Sequence, residues 1–301
     1  MTNGTVRVGI SGWQFSPWRG PFYPKGLKQR EELVFASRAL PTIEINGSFY
    51  SLQRPTSFAK WYAETPDDFV FSIKAPRYIT QIRRLVDVDA PIANFFASGV
   101  LRLQQKLGPI LWQFAPSFRL DAATFEAFLA LLPHDTEQAV ALAKQHDAKV
   151  EGRSWLETDA KRPVRHAVEV RNASFATPEF IRLLRKYRVA MVRADSGGRW
   201  PEFDDLTVDF VYLRLHGATE EHPDVYNDDA AIVRWAERIR AWQSGRQPEE
   251  PLLIAPEPAP ECSARDVFAY FENTDKVNAP RNAARLLEEL GLPHGKLTAN
   301  V

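Results

Sequence analysis

The chain has 301 residues, of which 45 % are hydrophobic and 25 % are charged, a composition typical of a soluble globular protein. Lysine plus arginine equals aspartate plus glutamate at 38 each, so no overall charge steers the chain toward nucleic acid or an anionic membrane. A single cysteine, Cys262, excludes an internal disulfide and a thiolate metal cage.

The hydropathy of the chain predicts the compartment of the protein. No apolar run approaches the length of a membrane span, and residues 1–5 lack the basic start and apolar core of a signal peptide. We therefore expect a cytoplasmic protein with no membrane partner. The sequence predicts no particular oligomeric state.

Short β-rich segments alternate with amphipathic helical segments along the chain. The predicted strands are 6–11, 42–46, 69–74, 109–114, 166–171, 189–194, 209–216 and 267–273. The predicted helices are 29–40, 56–63, 92–107, 122–132, 178–187, 230–243 and 279–290. Eight strands alternating with helices predict an α/β fold, a TIM-type (β/α)8 barrel. An open doubly wound sheet is the competing architecture, but the first strand-to-helix turn lacks the glycine pattern of a dinucleotide site.

Two stretches interrupt the strand and helix repeat. Residues from about 134 to 163 contain a short helical piece at 137–145 and a charged loop, and residues 244–266 are rich in proline. Neither stretch is long enough to form a domain. We expect one TIM-barrel domain over residues 1–301 with two loop insertions.

One short predicted strand carries two different faces. Ile43 and Ile45 alternate with Glu44 and Asn46 before the strand pattern breaks at Gly47. If the isoleucines pack on covering helices, Glu44 and Asn46 point into the barrel. An ionised carboxylate is costly there unless another group compensates its charge, so the pattern predicts a polar site in the interior.

Other strands carry polar residues at the same end. These residues are Ser72, Lys74, Gln113, Glu169, Arg171, Asp195, Arg214, His216, Glu272 and Asn273. The carboxyl ends of parallel strands meet at one rim of a barrel, so we expect these side chains to surround a pocket. The same charges also fit ion pairs that only close the barrel, such as Glu169 with Lys74 or Glu44 with an arginine.

We predict two sets of site residues at this rim. The predicted catalytic residues are Glu44, Lys74, Glu169 and His216. The predicted substrate-binding residues are Trp13, Asn46, Phe49, Tyr50, Gln113, Arg171, Asp195, Arg214 and Asn273. His216 precedes a glycine at a strand end, which favours an accessible imidazole, and the three aromatic residues suit stacking on a sugar or base ring. Trp18, Phe22 and Tyr23 are expected instead to pack on one another over the barrel.

Short motifs spread over nearly the whole chain resemble the signature of the YecE-like family, also called domain of unknown function 72. The motifs are GISGW at 9–13, WRG at 18–20, FYP at 22–24, EIN at 44–46 with FY at 49–50, TP at 65–66 with Phe69, FSIKAP at 71–76, QFAP at 113–116, VEVR at 168–171, Tyr212 with RLHG at 214–217, and APRNA at 279–283. The resemblance implies a TIM-type barrel and supplies no established reaction.

The chain departs from that family pattern at two places. The family commonly reads Ile-Thr-His after the lysine of strand three, whereas Ile79 and Thr80 are followed here by Gln81. Any acid, base or ligand role of that histidine is therefore absent. Near strand eight the family tends to read Phe-Asn-Asn, and here Glu272 takes the middle position.

Three chemistries are compatible with these residues. A glycosidase would use Glu44 and Glu169 as its carboxylate pair, but many barrel glycosidases carry their carboxylates on strands four and seven, where this chain has Gln113 and Arg214. A sugar isomerase-like, epimerase-like or phosphodiester-cleaving barrel would hold a divalent cation. Its ligands would be Glu169, Asp195 and His216, with Glu272 as a further one, and this oxygen-rich set suits magnesium or manganese.

The fixed charges of the arginines oppose a cation, so we predict no cofactor and prefer a third chemistry. In it, Lys74, Arg171 and Arg214 hold a phosphate or carboxylate of a small-molecule substrate while Glu44, Glu169 or His216 moves a proton. Lys74 acting as a Schiff-base nucleophile is a variant of this prediction.

A non-catalytic module that binds nucleic acid or a protein partner is the alternative of a different class. Arg77, Arg83 and Arg84 beside strand three would contact phosphates. The zero net charge of the chain does not favour this interpretation.

Overall fold

The structure is a computed structural model that describes residues 3–217, 225–272 and 276–295. Within these ranges, eight parallel strands close into a barrel in chain order, with β8 next to β1. The strands are β1 Val6–Ser11, β2 Thr42–Ile45, β3 Val70–Lys74, β4 Leu107–Gln113, β5 His166–Glu169, β6 Ala190–Asp195, β7 Phe210–Leu215 and β8 Asp266–Phe271. The predicted TIM-type barrel is confirmed.

Helices follow the strands and cover the outside of the barrel. The α-helices of the described residues are α1 Glu32–Ala39, α2 Gly47–Tyr50, α3 Pro55–Glu64, α4 Asp89–Ala97, α5 Ala122–Ala130, α6 Thr136–Ala143, α7 Pro178–Lys186, α8 Asp229–Gln243 and α9 Ala279–Glu289. Helix α7 has an ordinary capped start: the Thr177 hydroxyl accepts a hydrogen bond from the Phe180 amide, and Pro178 opens the helix. None of the helices among the described residues has the length and apolar character needed to cross a membrane.

One predicted helix, 92–107, is divided in the structure. Helix α4 ends at Ala97, and a 3₁₀-helical segment, Val100–Lys106, leads into β4. Gly99 between them has φ of 108°, a conformation that ends an α-helix and that other residues rarely adopt. A Cβ atom at this position would lie 2.5 Å from the Cα atom of Pro55, so the close approach of α3 also requires glycine.

The alternation of side chains along the strands produces two separate packing layers. In β3, Phe71 and Ile73 are fully buried against the covering helices, whereas Ser72 and Lys74 point into the barrel. Each fully buried phenylalanine or isoleucine of the outer layer contributes about 1.5–3 kcal/mol relative to exposure. Small and aromatic residues such as Ala167 and Phe210 fill the interior toward the amino ends of the strands. The polar positions therefore lie above an apolar floor, at the carboxyl ends.

Gly9 allows β1 and β2 to approach each other closely. A Cβ atom on Gly9 would lie 1.9 Å from the carbonyl oxygen of Thr42, a contact that would push the strands apart. Farther along the same pair, Ser11 is in register with Glu44, and Glu44 is in register with Ser72 of β3. The close packing of these strands places their inward side chains in direct contact.

Candidate functional site

Tyrosine hydroxyls form the lowest polar layer of the barrel interior. The Tyr270 hydroxyl lies 2.9 Å from Thr42 Oγ1 and 2.6 Å from Ser72 Oγ, and the Tyr212 hydroxyl donates to Glu44 Oε2 at 2.6 Å. Burial raises the pKa of both tyrosines above the ordinary value. Their hydroxyls therefore stay protonated and serve as hydrogen-bond donors and acceptors beneath the carboxylates.

Arg214 occupies the centre of the next layer and is fully buried. Its guanidinium donates to Glu44 Oε1 at 2.9 Å, to Glu169 Oε2 at 2.5 Å, and also to Glu272. Burial alone would lower the pKa of Arg214, but the Glu169 and Glu44 carboxylates raise it above its ordinary value. The arginine is permanently charged and joins inward side chains of β2, β5 and the end of β8.

The two buried glutamates have nearly all their acceptor positions filled. Glu44 also accepts from Ser11 Oγ at 2.6 Å. Glu169 accepts from Gln113 Nε2, 3.1 Å from each of its oxygens, and from Arg171 Nε at 2.7 Å. Burial opposes ionisation of both carboxyl groups, but Arg214 together with the other neighbouring positive charges and hydrogen-bond donors holds both pKa values below the ordinary value. These carboxylates remain ionised and hold the arginines in place.

Lys74 lies beside this network without joining it. Its Nζ atom forms no hydrogen bond or ion pair with any residue in the described ranges and is 4.2 Å from the centre of the Phe49 ring. Lys74 is only 6 % exposed. Burial, and then the positive charge of Arg214, lower the pKa of Lys74 to about 7. About half of the Lys74 amines are therefore uncharged at neutral pH.

His216 presents a second unpaired nitrogen. Its buried Nε2 atom has no hydrogen-bond partner among the residues that the structure describes. Nε2 lies 3.8 Å from Glu169 Oε1, and Nδ1 lies 3.8 Å from Glu272 Oε2, both beyond hydrogen-bonding distance. Burial, and then the charge of Arg214, hold the pKa of His216 well below its usual range, so the imidazole is neutral at pH 7.

Arg171 offers hydrogen-bond donors at the rim. Its Nε atom is fixed by Glu169, and its guanidinium lies 3.7 Å from the centre of the Trp200 ring. Its two Nη groups have no hydrogen-bond partner within the described part of the chain. Stacking on tryptophan and one charge-assisted bond orient the guanidinium while leaving its fork of donors for a ligand.

Two cavities lie near this cluster on the side of β1 to β3, and Lys74, Arg171 and His216 line neither of them. The first has a volume of about 370 Å³ and is lined by Trp13, Asn46 and Lys276, among others. The second has a volume of about 440 Å³ and is lined in part by Phe49. Tyr50, which is 68 % exposed, borders both cavities. The predicted aromatic residues therefore line space next to the charged cluster.

Asparagine and lysine side chains connect the first cavity to the cluster. Asn46 Oδ1 is buried, and no group of the described residues donates to it. Burial lowers the pKa of Lys276, and the Glu44 carboxylate opposes this effect. An unsatisfied amide oxygen and a shifted lysine on the same wall mark the cavity as polar despite its tryptophans.

Most of the predicted site residues within the described ranges meet at this mouth, but Asp195 does not. Asp195 accepts hydrogen bonds from the Tyr226 hydroxyl at 2.8 Å and from Trp235 Nε1 at 3.0 Å, in the layer between β6 and α8. Since Ala194 takes the inward position at the end of β6, Asp195 points outward. Asn273 lies outside the described residues.

Three of the predicted metal ligands lie close together, since Glu169 and Glu272 are each 3.8 Å from His216, but Asp195 does not join them. Asp195 is on the other side of the sheet from His216, and the Glu169 oxygens are engaged by two arginines and Gln113. Among the described residues, no group of three histidine, cysteine, aspartate or glutamate side chains is arranged to hold a metal ion.

Sequence reasoning missed three members of the cluster. Tyr212 and Ser11 both lie at inward positions, and the same alternation that selects Arg214 would have selected Tyr212 two residues earlier. Trp200 lies in the loop after β6, where no periodic pattern exists. Its contacts with Arg171 and with the His216 ring, at 4.9 Å between ring centres, are visible only in the structure.

Three aromatic residues of the first loop have the packing role expected of them. Trp18, Phe22 and Tyr23 are buried, with the Trp18 ring edge-on to the other two. They form part of the main apolar cluster and do not line either cavity.

Two arginine side chains beside β3 are held by neighbouring groups. Arg83 pairs with Asp87, and Arg84 donates to Ser117.

The described residues form a closed barrel whose mouth carries polar side chains, some of them without a hydrogen-bond partner in that part of the chain. This architecture places the protein among the TIM-type barrels. The model of the family described as protein of unknown function DUF72 matches residues 7–300, and the chain belongs to this family. The UPF0759 protein YunF of Bacillus subtilis (strain 168) is 23 % identical over 312 residues, which cover 97 % of both chains. The resemblance predicted from the motifs is confirmed.

Solved structures of the same family share the fold. A DUF72 family protein from Thermotoga maritima has a TM-score of 0.69 and 22 % identity, over 95 % of this chain and 99 % of that one. A DUF72 family protein from Enterococcus faecalis V583 has a TM-score of 0.66 and 16 % identity, over 97 % of this chain and 100 % of that one. These similarities support the barrel and specify no reaction.

Proposed function

We propose that the protein is an enzyme that binds a small molecule bearing a phosphate or carboxylate group at the carboxyl-end mouth of the barrel. In this proposal Arg171 holds the anionic group, and His216 and Lys74 transfer protons to and from the substrate. Glu44, Glu169 and Arg214 form the fixed base of the site and keep their charges throughout.

The observation that supports the proposal is the pair of unpaired nitrogen bases. Lys74 Nζ and His216 Nε2 have no hydrogen-bond partner within the described ranges, although the groups around them are bonded repeatedly. A network that only closed the barrel would pair a buried lysine with a nearby carboxylate, because an unpaired buried charge is costly. Lys74 contacts the ring of Phe49, which lines the second cavity, and buried bases left without a partner are typical of groups that act on a ligand.

The protonation states of these groups suit proton transfer near neutral pH. Burial, and then Arg214, lower the pKa of Lys74 to about 7, so this amine exchanges a proton without a large free-energy cost. His216 is neutral and accepts a proton at Nε2. The ionised Glu169 carboxylate lies 3.8 Å from Nε2 and stabilises the imidazolium that forms.

The anion-binding part of the proposal is tested with inorganic phosphate and acetate as minimal probes. Isothermal titration calorimetry would compare wild type with Arg171→Met and with Arg182→Met, which removes a surface guanidinium paired with Glu257. Loss of charge-assisted hydrogen bonds should weaken phosphate binding about 10- to 100-fold in Arg171→Met only. Unchanged far-UV circular dichroism would show that the variants are folded. Equal binding by both variants, or no binding by wild type, would refute the anion site.

A further inference from the structure

We infer that Lys74 is a covalent nucleophile that forms an imine with a carbonyl group of the substrate. This inference rests on the proposed function and deepens it, since it assigns the substrate to the class of carbonyl compounds that carry a phosphate or carboxylate. Short oxo acids and phosphorylated aldehydes or ketones belong to this class.

The position of Lys74 is fixed by the backbone at the end of β3. Ser48 Oγ donates to the Lys74 carbonyl oxygen at 2.7 Å, and the Lys74 amide lies within the β3 to β4 ladder. The side chain extends inward over the Phe49 ring, whose face weakly attracts the protonated form. No group of the described residues donates a hydrogen bond to Nζ, so the lone pair of the deprotonated amine is free to react.

The charges around Lys74 favour the neutral amine that imine formation needs. Arg214 and Arg171 oppose its protonation, while the Glu44 and Glu169 carboxylates favour it and are themselves engaged by the arginines. Burial adds to the effect of the arginines, and the pKa of Lys74 falls to about 7. An uncharged, partly enclosed amine beside fixed cations is a common arrangement for a Schiff-base lysine.

The chemical step is an addition followed by loss of water. The Nζ lone pair forms a bond to the carbonyl carbon, the electron pair of the C=O π bond moves to oxygen, and that oxygen takes up a proton from the solvent. Nitrogen then loses a proton to the neutral His216, which gives a carbinolamine. Return of that proton to the hydroxyl group, and expulsion of water by the nitrogen lone pair, leave a protonated imine. Arg171 holds the anionic end of the substrate during both steps.

Reductive trapping with two small aldehydes tests this step on the full-length protein. Glyoxylate carries a carboxylate and propanal does not, and both react with any accessible neutral amine. Sodium cyanoborohydride delivers hydride to the imine carbon and makes the adduct permanent, so peptide mass spectrometry measures the rate at each lysine. Lys74→Arg, which keeps a positive charge but cannot form an imine, is the matched negative control, and Lys25, which is exposed and lines neither cavity, is the surface reference.

The expected rates follow from the neutral fraction of each amine. At pH 7 this fraction is about a thousandfold larger for Lys74 than for an ordinary surface lysine. A lysine with a lower pKa is less nucleophilic and Lys74 is less accessible, so we expect glyoxylate to modify Lys74 at least about tenfold faster than Lys25. Arg171→Met should remove the preference of Lys74 for glyoxylate over propanal.

The outcomes separate this inference from the proposed function. Equal rates for both aldehydes at Lys74, each faster than at Lys25, would support the nucleophile and refute the anion site at Arg171. Modification of Lys74 no faster than of Lys25 by either aldehyde would overturn the inference, while the phosphate titration would still decide the anion site. Loss of fast labelling in Lys74→Arg confirms that the peptide assignment is correct.

Discussion

Replacing Lys74 with methionine should stabilise the folded protein at mildly acidic pH. Methionine keeps the apolar stem of lysine but removes the ammonium group that burial and Arg214 disfavour. The fall of the Lys74 pKa from 10.5 to about 7 corresponds to about 5 kcal/mol against the charged form. Since the surroundings relax around a buried charge, we expect the free energy of unfolding of Lys74→Met to exceed that of wild type by about 2–4 kcal/mol at pH 6.

The difference between the two proteins should depend on pH in one direction. In the unfolded chain Lys74 titrates near 10.5, so between pH 7 and 10.5 the unfolded state holds a proton that the folded state has lost. Wild type therefore gains stability with rising pH in this window, by at most about 1.4 kcal/mol per pH unit, and the advantage of Lys74→Met disappears by its upper end. Below pH 7 the advantage should be constant, because both states of wild type are protonated.

Urea denaturation of both proteins from pH 6 to pH 10 measures this difference, and contributions from other titrating groups cancel in it. Lys25→Met is the control, since an exposed lysine should change stability by no more than about 0.5 kcal/mol at any pH. A difference between wild type and Lys74→Met that does not change with pH would refute the lowered pKa. A variant less stable than wild type at pH 6 would show that Lys74 has a compensating partner.

Three further substitutions test separate parts of the account. Arg214→Met leaves the Glu44 and Glu169 carboxylates buried without their main partner. Urea denaturation at pH 7 should therefore show that the free energy of unfolding falls by about 3–5 kcal/mol. A fall of less than about 1 kcal/mol would contradict the central role of this arginine. Tyr270→Phe removes the hydroxyl that Thr42 and Ser72 share, and it should lower the free energy of unfolding by about 1–2 kcal/mol in the same assay. An unchanged urea midpoint would mean that these hydrogen bonds do not stabilise the fold. Asp195→Asn lies outside the barrel, so calorimetry should find phosphate binding unchanged, and a tenfold loss would place Asp195 in the site.

The strands and the inward direction of Glu44 and Arg214 were predictable because side chains alternate along a strand with a period of two. Asp195 obeys the same period of two, but the prediction assigned it to the wrong face. Strand β6 has small apolar residues inside and mixed residues outside, so the position of a polar residue at the strand end did not indicate which face it occupies. The choice of partners across the barrel was not predictable either. Lys74 was a predicted partner of Glu169, but the Glu169 oxygens accept hydrogen bonds from Arg214, Arg171 and Gln113 instead. The sequence does not give the distances between side chains of different strands, so it could not rank these partners.

The central claim is that the barrel mouth binds an anionic small molecule through Arg171. Mass spectrometry of the small molecules that copurify with wild type, Arg171→Met and Arg182→Met tests it most directly, because it requires no prior choice of ligand. We predict a compound bearing a phosphate or carboxylate group that wild type and Arg182→Met retain and Arg171→Met loses. The same set of compounds on all three proteins, or a retained compound without an anionic group, would contradict the account.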